Sequence, residues 1–117
     1  MEEKGLIISL DLISKRIDRI NELIYKKNSF DKIGEQKSYY EALKLNFIEI
    51  GEESKKINDF LLKEDGSWDD IISKQYNFRI SLTHYYVEIN DELMDKFLAK
   101  DFEKFVLKVN ELKKRFY

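Results

Sequence analysis

Apolar residues recur every three or four positions over most of this chain, and the recurrence divides it into helical segments. From Glu2 to about Lys26, the residues Leu6, Leu10, Ile13, Ile17, Ile20 and Ile24 fall on one stripe, with Lys15, Arg16, Arg19 and Glu22 off it. That spacing predicts an amphipathic helix with one buried side. Asn28-Ser29-Phe30-Asp31 interrupts the pattern, and Ser29 or Asp31 is suited to cap the next helix. That second helix is expected from roughly Tyr39 to Lys63, its buried side marked by Leu43, Phe47, Ile50, Ile57 and Leu61. Gly51 lies inside it. A glycine there costs about 1 kcal/mol relative to alanine, so it predicts a close approach by another helix.

Glu64-Asp65-Gly66-Ser67 reads as a turn, with Ser67 capping a third helix whose first turn carries Asp69 and Asp70. Trp68, Ile71, Ile72, Tyr76, Phe78, Ile80 and Leu82 make that helix apolar on more than one side, which predicts a central position or burial against a partner. It is expected to run to about Tyr85 or Val87, with a further break at Asn90-Asp91. Leu93, Phe97, Phe102, Val106, Val109, Leu112 and Phe116 form a last stripe, with a kink expected near Ala99-Lys100-Asp101. No segment alternates long enough to be a strand. The pattern predicts an all-α, up-and-down bundle of four or five helices in a single domain over residues 1–117.

Composition narrows the chemistry. The chain has no proline, which suits long uninterrupted helices. It has no cysteine, so neither a disulfide framework nor a thiolate metal site is available. One histidine and scattered glycines argue against a metal centre and a phosphate-binding glycine loop, and no cofactor is implied. The net charge of −2 gives no overall attraction for nucleic acid, so RNA would need a local basic patch. Lys15, Arg16, Arg19, Lys113, Lys114 and Arg115 are the residues that would have to supply it. No stretch resembles a membrane span or a secretion signal, and a cytoplasmic location is expected.

The candidate chemistry lies in Arg79-Ile80-Ser81-Leu82-Thr83-His84-Tyr85-Tyr86, which holds the only histidine. Imidazole gives and takes a proton near neutral pH. Guanidinium is always charged and forks onto phosphate oxygens. Together they are the minimum equipment for cutting a phosphodiester. On a regular helix, however, five residues turn about 140°, so Arg79 and His84 point different ways. They converge on one phosphate only if the helix ends or bends near His84, or if two chains share the site. A two-fold dimer would also supply the second proton carrier that RNA cleavage wants. The plainer alternative is a helical dimerisation module in which both residues are structural.

Arg79-x4-His84-x-Tyr86 resembles the signature of HEPN-domain ribonucleases, specifically HepT-like toxins. Phe47-Ile48-Glu49-Ile50-Gly51-Glu52-Glu53-Ser54-Lys55-Lys56 is similar to that family's second-helix segment, and Trp68-Asp69-Asp70-Ile71 to the start of its third helix. The resemblance implies a small all-α homodimer that cuts RNA without metal. It also implies a nucleotidyltransferase antitoxin as partner. By the same resemblance, Arg79 would hold the scissile phosphate and His84 would serve as general base or acid. Tyr86 would contact RNA and be the residue modified with AMP, which would block the cleft by bulk and negative charge. Ile80 stands where the family most often has asparagine. Isoleucine cannot orient an imidazole, and this departure favours an alternative: a non-catalytic subunit that binds a nucleotide or partner.

Overall fold

The computed structural model describes residues 2–27, 33–84 and 87–117, with side chains except those of 33–35 and 87–89. The described residues form five α-helices: α1 (Glu3–Tyr25), α2 (Ile33–Asp65), α3 (Asp70–His84), α4 (Val87–Lys100) and α5 (Phe102–Phe116). The molecule is elongated, 47 × 26 × 21 Å. The 33 residues of α2 account for its length at about 1.5 Å per residue.

The expected stripe of α1 is buried from Leu6 to Ile20, but it ends on Leu23 rather than Ile24, which is partly exposed. Leu43, Phe47, Ile50, Ile57 and Leu61 of α2 are all buried. α1 and α2 run antiparallel, tied by Arg16 to Glu49 and by the Ser9 hydroxyl donating to Glu53 at 2.7 Å. The α3–α4 pair is antiparallel too: Lys74 reaches Asp101, Phe78 stacks on Phe97 at 4.5 Å between centroids, and the Asn90 amide donates to the Leu82 carbonyl. Phe47 meets Phe78, Phe97 and Phe102 edge-on, so one ring of α2 anchors three helices. α5 closes the bundle through Phe60–Phe116 and the Arg115–Asp65 ion pair.

Three sequence expectations are corrected. The cap of α3 is Asp69, not Ser67: its carboxylate accepts from the Ile72 amide at 3.0 Å. α3 is described as far as His84; its expected continuation to Tyr85 falls outside the described residues, and Val87 already belongs to α4. Asn90-Asp91 lies within α4 instead of breaking it, because Asn90 is turned inward onto the end of α3. The kink near residue 100 is a full helix boundary at Asp101. Ser29 and Asp31, read as possible caps, fall outside the described residues. Among the described residues no helix is long and apolar enough to cross a membrane.

Candidate active site on helices α2 and α3

Beside the Phe47–Phe78 ring contact, the seam between α2 and α3 carries a row of small and polar residues. Asn58, in the last turns of α2, ties that helix to the start of α3: its amide donates to the Ser73 hydroxyl at 2.6 Å, and its oxygen accepts from the Asp69 backbone N–H at 3.1 Å. Two turns nearer the N-terminus of α2, Gly51 leaves its backbone bare. A Cβ on Gly51 would collide with the Cβ of Arg79 and lie 2.9 Å from its Cδ. The expected close approach is therefore made by Arg79 itself, whose aliphatic stem lies across Gly51. The same gap lets the Gln75 amide reach the Phe47 carbonyl at 3.4 Å.

This seating divides the guanidinium. Nε is buried without a partner, as are Gln75 Oε1 and Ser54 Oγ in the same seam. Nη2 donates outward to Glu52 Oε1 at 3.2 Å. The Arg79 side chain keeps 28% of its surface exposed and Glu52 keeps 53%, so the contact is open to solvent. His84, at the described end of α3, is exposed, and its side chain makes no hydrogen bond or ion pair with any described residue. Five positions along a helix place it about 140° round from Arg79, away from α2. The structure thus brings Arg79 to Glu52 and brings the His84 side chain into hydrogen-bond or ion-pair contact with neither. Half-buried Ile80 precedes His84 by one turn on the same face. Tyr86 lies outside the described residues.

Three of the six basic residues expected to attract RNA are engaged by acids. Arg16 pairs with Glu49, Arg19 with Glu22 and Arg115 with Asp65. The cleft of about 230 Å³ beside Glu52, between α1 and α2, is lined by Leu12, Ile13, Arg16, Glu49, Glu52 and Glu53, which makes it acidic. A larger cleft of about 380 Å³ lies between α2 and α4, with Lys37, Lys44, Tyr40, Asn90 and Asp91 on its walls. Tyr40 donates to Asp95 at 2.9 Å, and its phenol is pushed well above its ordinary range by burial and by that carboxylate. The sequence pattern did not point to this cleft. Lys37, Tyr40 and Lys44 do share a helical face, but their partners on α4 are some fifty residues away. Among the described residues no three His, Cys, Asp or Glu side chains are arranged to hold a metal ion. No protein-family model, no curated protein and no solved structure matches the chain.

Proposed function

We propose that this chain is a metal-independent endoribonuclease toxin of the HepT-like kind, acting as a homodimer and restrained by a nucleotidyltransferase antitoxin through modification of Tyr86. The observation that carries the reading is the seating of Arg79. Its stem is held on Gly51 while its Nη end stays in solvent, which suits a side chain that must meet a phosphate in fixed geometry. In the proposed mechanism Arg79 binds the scissile phosphate and offsets the charge that builds on it in the transition state. His84, exposed and uncommitted, takes the proton of the 2′-hydroxyl or returns one to the leaving 5′-oxygen. Since these two residues diverge on one helix, the reading requires Arg79 of one protomer to face His84 of the other.

Cleavage of a fluorescent RNA tests this. Arg79→Ala and His84→Ala are each expected to lower the rate by roughly a hundredfold or more. An equimolar mixture of the two variants, dissociated and reassociated, should recover about a quarter of wild-type activity. Half of its dimers are mixed, and each mixed dimer regains one of two sites. Equal cleavage by wild type and His84→Ala would end the catalytic claim.

Ile80 favours a second reading, a non-catalytic subunit that binds a nucleotide or protein partner. A methyl-bearing side chain one turn before His84 gives the imidazole nothing to hydrogen-bond. That reading predicts binding without RNA turnover and no growth inhibition on expression. Recovery of cleavage by Ile80→Asn would assign the difference to this one position.

A further inference from the structure

We propose that Glu52 is a displaceable internal anion: its carboxylate holds the Arg79 guanidinium while no ligand is bound, and must give way before a phosphodiester takes the same donors. The identity of the incoming phosphate rests on the ribonuclease reading. The Glu52–Arg79 contact itself does not depend on it.

The argument starts from which part of Arg79 is free to move. Its Cβ, Cγ and Cδ lie against Gly51 and its Nε is buried. Only the Nη end reaches solvent, and Nη2 is already occupied by Glu52. The occupant is held weakly. The contact uses one carboxylate oxygen at 3.2 Å, longer than the 2.7–2.9 Å of a tight charge-assisted bond. Glu52 is also more than half exposed, and exposed pairs of this kind contribute little. A phosphodiester offers the fork two acceptors in matching geometry.

The neighbouring acids are committed elsewhere. Glu49 pairs with Arg16, and Glu53 takes the Ser9 hydroxyl and Lys56. Glu52 is therefore the carboxylate of the three that is set against Arg79. It also has somewhere to go. Lys56 lies one turn further on, at the i+4 position on the same face, and its ammonium has three donors of which the Glu53 contact uses one.

Two probes test the proposal. The first is inorganic phosphate, titrated while the Arg79 side-chain Nε–H resonance is followed by NMR. The second is a 2′-deoxy oligonucleotide, which cannot be cut by this chemistry, bound in a fluorescence-anisotropy assay. Glu52→Gln keeps an acceptor for Nη2 but removes the charge. It should bind both probes about two- to fivefold more tightly than wild type. Glu53→Gln removes the same charge one residue away and should change affinity far less. A general disturbance of the fold would weaken binding, so a gain is specific to release of Arg79. Affinity unchanged or reduced in Glu52→Gln, or an equal gain in Glu53→Gln, would overturn the proposal. If neither protein cuts RNA yet the Arg79 resonance reports tighter phosphate binding in Glu52→Gln, the ribonuclease reading falls and the latch stands. If RNA cutting needs Arg79 but Glu52→Gln leaves both affinities unchanged, the latch alone falls.

Discussion

Replacing Gly51 with alanine puts the α2–α3 seam to a quantitative test. In an open helix position the change would stabilise by about 1 kcal/mol, because alanine loses less backbone entropy and has the higher helix propensity. Here the added methyl collides with the Cβ of Arg79, and its Cγ and Cδ follow at 3.0 and 2.9 Å. A flexible tip could swing away, but a Cβ is fixed to its backbone. The two helices must part by roughly 1 Å to restore ordinary contact between carbons. Overpacking of this kind costs about 1–3 kcal/mol. The clash outweighs the propensity gain, leaving a net loss of about 1 kcal/mol and a fall of roughly 4 °C in Tm for a domain of this size. Urea denaturation followed by circular dichroism gives the number directly. Parting the helices also displaces the Arg79 stem, so phosphate binding at Arg79 should weaken in the same variant. A Gly51→Ala protein more stable than wild type, with phosphate binding intact, would refute the claim that the glycine exists to seat Arg79.

Other outcomes come from neighbouring contacts. Asn58→Ala strips the Asp69 N–H and the Ser73 hydroxyl of their partner and should cost about 2 kcal/mol in urea unfolding, with little change in the m-value. Tyr117 should titrate late: partial burial and its bond to Asp11 raise the phenol to about 12, so a spectrophotometric titration should find a tyrosine there that falls part of the way back in Asp11→Asn, the burial remaining. Because that pKa is raised in the folded state, the linked stability is complete below pH ~10 and is lost as pH rises toward 12. The Asp65 carboxyl is held below its ordinary range by hydrogen bonds from Arg115. Its contribution is present above pH ~4 and disappears on acidification, and Asp65→Asn should flatten the acid limb of the stability curve without moving the neutral plateau greatly.

The features legible in the sequence are those set by local period and local backbone cost. The stripe of α1 and the buried row of α2 come directly from 3.6-residue spacing. Gly51 announced a close approach because nothing else justifies a glycine in mid-helix. What the sequence concealed was long-range pairing. Ser67 and Asp69 are both good caps, and the choice between them rests partly on Asn58, eleven residues back, which takes the Asp69 N–H. Asn90 looked like a helix breaker because asparagine favours turns. It is buried inside α4 because the end of α3 offers it the Leu82 carbonyl. Trp68 reads as core by type yet is 60% exposed, lying in the connection before α3. Half of the cations expected to form an RNA-attracting patch are matched by acids, two of them from another helix, and spacing along one helix cannot reveal those two.

The polar character of the α2–α3 seam is itself informative about Arg79. A seam of leucines would hold two helices together as firmly, but apolar contacts are non-directional and tolerate sliding by a fraction of a turn. Here the register is fixed at two heights, by Asn58 on Ser73 and Asp69 and by Gln75 on the Phe47 carbonyl. Between them lies Ser54, fully buried. These bonds add little net free energy, since each replaces a bond to water. A slip along the seam would instead leave several buried groups unpaired, at a cost of about 1–3 kcal/mol each. Three buried polar atoms already lack partners there, Arg79 Nε among them, so the seam departs from what stability alone would select. Its effect is to fix where the Arg79 stem crosses Gly51, and hence where the Nη donors emerge beside Glu52. A guanidinium placed only to make a surface ion pair would need no such register, because exposed pairs form equally well from many rotamers.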